Sequence, residues 1–281
     1  TQDRTVVLQL GEKREAITFL SETELDAALL RLMNEEVRSV YFIVGHGEYA
    51  SDEAGELGYS TVAQTLSSKA YNVDTLNLLS TGEIPADASV LIVARPMLPV
   101  TQAEVDLIAE FVANGGALVV AEEPPIFTDF EDAADPLADY LNTTWGILLS
   151  EDLVVDTQME SNLEAIAVQY ASHPITEKLQ GVSVIFPTAR SVQVVTVDSL
   201  TARSTPLLYT APYDTTWAET DMVALADGDV IADPDTDLLG PVPILAAGED
   251  VDSGARVVVF GDADFASNVN FYVQNNGQLL I

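Results

Sequence analysis

The chain has 281 residues, of which 48% are hydrophobic, so it is long enough and apolar enough to bury a core. It carries 45 Asp and Glu residues against 11 Lys and Arg residues, which gives a formal net charge of −34. Because nucleic acids and anionic lipid surfaces attract clusters of Lys and Arg, this charge argues against both as partners. The chain contains no cysteine, which excludes disulfides, thiolate zinc sites and a cysteine nucleophile.

Residues 1–38 are predicted to form an N-terminal unit of two strands and one helix. Residues 5–10 and 16–20 are β-rich runs on either side of a polar turn. Apolar residues then recur at helical spacing from residue 25, which predicts an amphipathic helix that ends near Glu36.

A repeated alternation of strands and helices begins at residue 39. Residues 39–44, 89–94 and 117–121 are continuous apolar runs, which are typical of strands covered on both faces in a parallel sheet. Between the last two runs, residues 101–104 have the Thr-x-x-Glu pattern of a capping box, which begins a helix. We therefore predict an α/β fold in which a doubly wound, mostly parallel sheet is the middle of three layers.

The second half of the chain follows this alternation less regularly. Residues 200–240 are rich in Thr, Asp and Pro, which predicts a long loop or an irregular, β-rich excursion. Trp217 lies in this segment, and we expect it at a surface or a partner contact. Residues 256–260 are again a buried strand, which is expected to return to the main sheet. The predicted α/β domain therefore covers residues 39–281.

Polar side chains follow the predicted strands at their carboxyl ends, where ligands bind in open α/β sheets. The candidate ligand-binding residues are His46, Glu48, Arg95, Glu122, Asp262 and Asp264, with Glu123 beside them. A histidine among carboxylates favours a divalent-cation or carbohydrate-binding module, or a degenerate hydrolase that uses paired carboxylates. In the structural alternative, the two aspartates cap the turn that follows their strand and Glu48 is solvated. We assign no catalytic residue and no metal ligand.

Residues 45–50 match the relaxed dinucleotide-binding pattern G-x-G-x-x-G/A after a strand. However, Glu48 would place a negative charge where a pyrophosphate must lie, and the polar residues that follow do not begin a helix. We expect the glycines to form only the tight turn that ends the strand, and we predict no cofactor.

Several segments, taken in order, resemble the GldG family of gliding-motility and ABC-transporter auxiliary proteins. They are VYFIVGHGE (40–48), IPADASVLIVARPMLPVTQAEVDLIAEFVANGGALVVAEE (84–123), WGILLSEDLVVD (145–156), HPITEKL (173–179), FPTARSV (186–192) and RVVVFGDADFASN (256–268). The second segment is the most specific, because it combines a strand, Leu-Pro-x-Thr, a helix and a Gly-Gly strand at a fixed spacing.

The resemblance implies a fold similar to the class I glutamine amidotransferase-like α/β sandwich, shared with a domain of eukaryotic intraflagellar-transport proteins. Enzymes of that fold use a cysteine at a strand-to-helix elbow, whereas this chain has no cysteine and only two histidines, His46 and His173. No Gly-x-Ser-x-Gly elbow occurs either, so we expect that the protein is not an enzyme.

The resemblance also implies a location outside the cytoplasm, in the periplasm or at the cell surface. There, flanking membrane helices of the full-length protein would hold the domain beside an ABC permease and its ATPase. We therefore expect a non-catalytic binding or scaffold domain of a transport system related to gliding motility.

Overall fold

The computed structural model describes residues 5–17, 21–33, 38–195, 201–228 and 231–281. The strands in these ranges are Val6–Leu10 (β1), Lys13–Ile17 (β2), Ser39–Ile43 (β3), Asn72–Leu76 (β4), Ala88–Ala94 (β5), Ala117–Ala121 (β6), Ile147–Leu149 (β7), Leu153–Asp156 (β8), Ala165–Tyr170 (β9), Val184–Phe186 (β10), Val192–Val194 (β11), Arg203–Thr210 (β12), Thr216–Glu219 (β13), Leu238–Leu239 (β14), Pro243–Glu249 (β15) and Arg256–Phe260 (β16). The α-helices are Glu22–Met33 (α1), Ser60–Ser68 (α2), Leu78–Thr81 (α3), Gln102–Ala113 (α4), Pro136–Trp145 (α5), Met222–Ala226 (α6) and Asn276–Leu280 (α7). Short 3-10 turns are at Pro125–Phe127, Glu177–Leu179 and Asp264–Ala266.

Nine of these strands form one sheet in the order β10-β9-β12-β15-β16-β6-β5-β3-β4. Strands β4, β3, β5, β6 and β16 are parallel neighbours, and β15, β12, β9 and β10 continue the sheet by antiparallel pairing. Only β15 and β9 are therefore reversed, and the other seven strands run in one direction. The sheet is mixed but mostly parallel, as predicted, and β16 does return to it.

The sheet separates two buried apolar clusters, which makes it the middle layer of three. Successive residues of β5 alternate between these clusters: Leu91 and Val93 belong to one, and Ile92 and Ala94 belong to the other. Helices α4 and α5 pack into the first cluster, and α2 packs into the second. Because both faces of the strand are covered, its sequence is continuously apolar rather than alternating.

Helix α4 begins and ends where the sequence predicts. Thr101 and Glu104 form the predicted capping box, and Val105, Ile108 and Val112 are buried on the inner face of the helix. After the helix, Gly115 has a φ of 94°, a left-handed conformation that glycine adopts without strain.

Residues 201–228 and 231–240 contain β-structure, and part of it belongs to the main sheet. Strand β12 pairs with both β15 and β9, so it lies inside the sheet rather than in an excursion. Its Pro206 adjoins a register shift, which accommodates a residue without a backbone N–H donor. Trp217 is 3% exposed and donates from Nε1 to Glu219 Oε2 at 3.0 Å, so the prediction of a surface position is wrong.

The N-terminal residues form two strands and a helix, as predicted, but β2 begins at Lys13, within the segment predicted as the polar turn. Strands β1 and β2 are an antiparallel hairpin, and α1 contacts β2 and α2. The predicted ends of the second strand at residue 20 and of the helix at Glu36 lie outside the described residues. The boundary at residue 38 stays a prediction. Within the described ranges, no helix combines the length and the apolar character needed to cross a membrane.

Candidate functional site

The strand order places a topological switch between β3 and β5, because the chain goes outward from β3 to β4 and then returns to the other side of β3. Ligand crevices in open α/β sheets form at the carboxyl ends of strands beside such a switch. The turn at residues 45–48 follows β3, Arg95 follows β5, Glu122 follows β6 and Asp262 follows β16. We use "the rim" for the loops that follow β3, β4, β5, β6 and β16.

The turn after β3 depends on its two glycines. Gly45 and Gly47 have φ values of 140° and 86°, which residues with a side chain rarely adopt. A Cβ atom at position 47 would lie 2.9 Å from Met97 Cβ, so this turn packs directly against the segment after β5. The predicted tight turn is therefore present, and its glycines are needed for backbone shape and packing.

His46 is buried between two carboxylates. Its Nδ1 lies 3.2 Å from Glu48 Oε1, and its Nε2 lies 3.1 Å from Glu104 Oε2. The second contact lacks hydrogen-bond alignment, and that oxygen also accepts from the N–H and hydroxyl of Thr101, so we treat it as an electrostatic contact. The Glu48 carboxylate also accepts from the His46 N–H at 2.6 Å. Glu48 is buried, so the expectation that it is solvated is wrong.

Glu122 is also buried, and it pairs with an arginine from a distant part of the chain. Arg190 Nη1 donates to Glu122 Oε1 at 2.9 Å, while its Nε and Nη2 donate to the carbonyl oxygens of Ser150 and Leu149. The guanidinium thus joins the end of β6 to the segment between β7 and β8. Burial raises the pKa of Glu122 well above its ordinary value, the charge of Asp135 adds to the increase, and Arg190 opposes it.

Glu123 and Asp262 direct their carboxylates at backbone groups of the rim. Glu123 accepts from the N–H groups of Ala263 and Asp264 at 2.9 and 3.2 Å, and from the Thr188 hydroxyl at 2.9 Å. Asp262 accepts from the N–H groups of Phe265 and Thr188, at 3.2 and 3.3 Å respectively. The first of these bonds fits the expectation that Asp262 caps the turn after β16, whereas the carboxylate of Asp264 accepts from the Tyr49 hydroxyl instead.

The two buried carboxyl groups hold their protons more tightly than exposed ones. Burial, together with the charge of Asp264, raises the pKa of Glu123 to about 7. Burial and the charge of Glu123 raise the pKa of Asp262 well above its ordinary value. These two groups cannot both ionise freely, because like charges in a poorly solvated place repel each other.

Arg95 and Asp264 are half-buried side chains of the rim that contact each other and the buried Tyr49. The Tyr49 hydroxyl donates to Asp264 Oδ1 at 2.5 Å, and the Arg95 guanidinium lies over the Tyr49 ring, 5.2 Å from its centre. Arg95 Nε is 3.8 Å from Asp264 Oδ1, and the two side chains are 22% and 24% exposed. Arg95 has a φ of 56°, which is uncommon for a residue with a side chain. Burial and the neighbouring Asp264 raise the pKa of Tyr49.

The six candidate residues therefore divide among four sets of contacts: His46 with Glu48, Glu122 with Arg190, Asp264 with Arg95, and Asp262 with backbone N–H groups. Sequence reasoning missed Tyr49 as a member of the rim and Arg190 as a partner of the rim residue Glu122, and it treated Glu104 only as a helix cap. The available signal for Arg190 was an isolated arginine between apolar segments in a chain with few cations. Across the described ranges, no group of three His, Cys, Asp or Glu side chains is arranged to hold a metal ion.

The fold and the rim define an α/β domain whose polar groups at the strand ends mainly bind one another. Residues 38–279 match the family described as an ABC-type uncharacterized transport system, and the chain belongs to that family. The predicted resemblance to ABC-transporter auxiliary proteins is thereby confirmed. Among curated proteins, no sequence matches the chain significantly.

Two solved structures show a similar fold at low sequence identity. The mmIFT52 N-terminal domain has a TM-score of 0.61 and 16% identity, over 86% of this chain and 93% of that domain. The cytoplasmic protein STM1381 from Salmonella typhimurium LT2 has a TM-score of 0.52 and 14% identity, over 86% of this chain and 96% of that one. At such identities the similarity concerns the fold alone.

Proposed function

We propose that this chain is a non-catalytic binding or scaffold domain of an ABC-type transport system, located outside the cytoplasm. In this proposal, membrane helices of the full-length protein hold the domain beside the permease and its ATPase. We also propose that the transport system is related to gliding motility and that the fold is of the class I glutamine amidotransferase-like type. Membership of an ABC transport family supports the proposal.

The observation that carries the proposal is a set of exposed aliphatic side chains on the rim. Each loop that follows one of the five parallel strands contains at least one such side chain. They are Leu57, Leu79, Leu98, Ile126, Val269 and Val273. Because the carboxyl ends of parallel strands meet at one edge of a sheet, these side chains lie on the same edge, and exposed apolar groups gathered on one surface favour contact with another protein.

The chemistry of the rim supports contact rather than catalysis. Glu123 and Asp262 use their oxygens to bind backbone N–H groups, and Glu122 binds Arg190. Enzymes of the amidotransferase-like fold use a cysteine at this edge, and the chain has none. The net charge of −34 further favours a partner surface that carries cationic groups.

Site-specific photo-crosslinking in the full-length protein, expressed in its own host, tests the proposal. A benzophenone amino acid at position 98 or 126 is expected to crosslink to the permease. The matched control is position 251, because Val251 is also apolar and exposed but lies in the turn between β15 and β16, at the opposite edge of the sheet.

Equal crosslinking from both edges, or none to any transporter subunit, would contradict the proposal. The location is tested separately with a membrane-impermeant protease added to intact cells or spheroplasts. The domain is expected to be cleaved under conditions in which a cytoplasmic marker stays intact.

A second candidate, a carbohydrate-binding module or degenerate hydrolase, is favoured by one observation. Arg95 adopts a left-handed backbone conformation and reaches solvent beside Asp264 and an aromatic ring. Unfavourable backbone conformations of this kind cluster at ligand sites. A cation, a carboxylate and an aromatic face are also groups that bind sugars.

Thermal-shift screening against oligosaccharides and divalent cations tests this candidate, with glycoside turnover measured in parallel. A ligand that raises the melting temperature of the wild type but not of Arg95→Gln would support it. A shift that survives both Arg95→Gln and Asp264→Asn would count against this site.

A further inference from the structure

A second concave surface lies on the sheet face that α2 covers, and the end of the loop after β16 contributes to its lining. A pocket of about 830 Å³ opens there among α2, the 3-10 turn at Glu177–Leu179 and α7. Val119 and Val258 of the sheet line it, together with Phe271 and Leu279 of the C-terminal segment. This volume is in the range of roughly 300–1,000 Å³ in which proteins bind small molecules.

The charge of this pocket is opposite to that of the chain as a whole. The chain has only three lysines, Lys13, Lys69 and Lys178, and the last two line the pocket. Among the described residues that line it, none is Asp or Glu, although the chain has 45 of them. In so acidic a protein, a surface that contains two of the three lysines and no carboxylate is not expected from a random distribution of charge.

Both lysine side chains are available to a ligand. Lys69 follows the last turn of α2, Lys178 lies on the 3-10 turn, and both are exposed. Neither amine forms an ion pair with a residue in the described ranges. Two unpaired ammonium groups beside an apolar lining attract a molecule that has an anionic head and an apolar body.

We propose that this pocket binds an amphiphilic anion, namely an aliphatic chain that ends in a carboxylate. The aliphatic chain packs on Val119, Val258 and Phe271, where burial of apolar surface supplies the affinity. The two lysines bind the carboxylate and orient the molecule. This inference does not depend on the proposed protein partner, because none of the exposed aliphatic side chains proposed to contact that partner lines the pocket.

Isothermal titration calorimetry of the purified chain with decanoate, below its micelle concentration, tests the proposal. Decan-1-ol, which has the same length but no charge, is the matched ligand. Decanoate is expected to bind with a stoichiometry of one, at least about tenfold more tightly than decan-1-ol. The double variant Lys69→Gln/Lys178→Gln is expected to remove that tenfold preference.

The third lysine provides the control variant. Lys13→Gln changes the net charge by one but lies on β2, outside the pocket, and is expected to leave decanoate affinity within about twofold. Absence of decanoate binding to the wild type would overturn the proposal. Equal affinity for decanoate and decan-1-ol, or equal weakening by Lys13→Gln, would also overturn it, because the lysines of the pocket would then have no specific role.

Discussion

Arg190 is a buried arginine that binds a carboxylate of the rim. Its guanidinium donates to Glu122 and to three backbone carbonyl groups. Loss of one member of a buried ion pair leaves the other charge without compensation, which costs far more than the pair contributes when both are present. The same chain contains an exposed pair, Arg256 with Glu249, whose Nε–Oε1 distance is 3.5 Å.

We expect Arg190→Met to lower the free energy of unfolding by about 3–5 kcal/mol, because Glu122 and the carbonyl groups lose their partner. Arg256→Met is the matched control and is expected to cost less than about 1 kcal/mol, because solvent screens that pair. Urea denaturation followed by circular dichroism measures both. Similar losses in the two variants would contradict a specific role for the buried pair.

Glu123 gives the stability a dependence on pH. Its pKa is raised from 4.5 to about 7 in the folded chain, so the folded chain retains a proton that the unfolded chain releases between those values. Stability from this group is therefore greatest below pH 4.5, and it falls by up to roughly 3 kcal/mol as the pH rises to about 7. Above that pH the penalty is constant.

The variant Glu123→Gln isolates this effect, because the amide keeps an acceptor oxygen for the backbone N–H groups but carries no charge. At pH 8 it is expected to be more stable than the wild type by roughly 1–3 kcal/mol, and at pH 5 the difference is expected to be smaller. Glu56→Gln, on an exposed loop, controls for the general reduction in negative charge. Chemical denaturation at both pH values gives the comparison, and a less stable Glu123→Gln at pH 8 would refute the explanation.

At the scale of single elements, helix α4 connects the fold to the rim. Glu104 caps the helix through the Thr101 N–H and also lies 3.1 Å from His46 Nε2. One carboxylate therefore fixes both the start of the helix and the turn after β3. A cap that had no such contact would cost about 1 kcal/mol to remove.

We expect Glu104→Ala to cost about 2–3 kcal/mol, because it removes the cap and also the electrostatic contact that Glu104 makes with the buried His46. Gln102→Ala removes an exposed hydrogen bond to Asp106 in the same helix and is expected to cost less than about 0.5 kcal/mol. Thermal and urea denaturation of the two variants provide the test. A cost for Glu104→Ala no greater than that of an ordinary cap would argue against the contact with His46.

The elements that could be predicted from sequence are those whose signal is local. The apolar runs of β5 and β6 and the capping box of α4 each depend on residues within a few positions of one another, and all three are present. The turn glycines after β3 also have the expected role. In the parallel half of the sheet, the local sequence pattern and the tertiary environment favour the same secondary structure.

The contacts that could not be predicted join distant parts of the chain. Arg190 meets Glu122 across 68 positions, and nothing near either residue specifies the other. Strand β12 is rich in Ser, Thr and Pro, which resembles a loop, yet its Thr, Leu and Tyr residues also suit a strand when neighbours on both sides supply hydrogen bonds. Trp217 is buried for the same reason, because β13 pairs with β8 and β14 around it.

At the scale of the whole molecule, the net charge of −34 opposes folding, because carboxylates repel one another more strongly in the compact state. Salt shortens the range of this repulsion, from about 30 Å at 0.01 M to about 3 Å at 1 M ionic strength.

We therefore expect the melting temperature at pH 8 to rise when NaCl is increased over that range. Near pH 4.1, where the net charge approaches zero, the same addition of salt is expected to have little effect. Calorimetry at both pH values separates screening from a general salt effect. An equal rise at both would mean that repulsion among carboxylates is not what limits stability, whereas a rise confined to pH 8 would show that this repulsion lowers the stability of the domain.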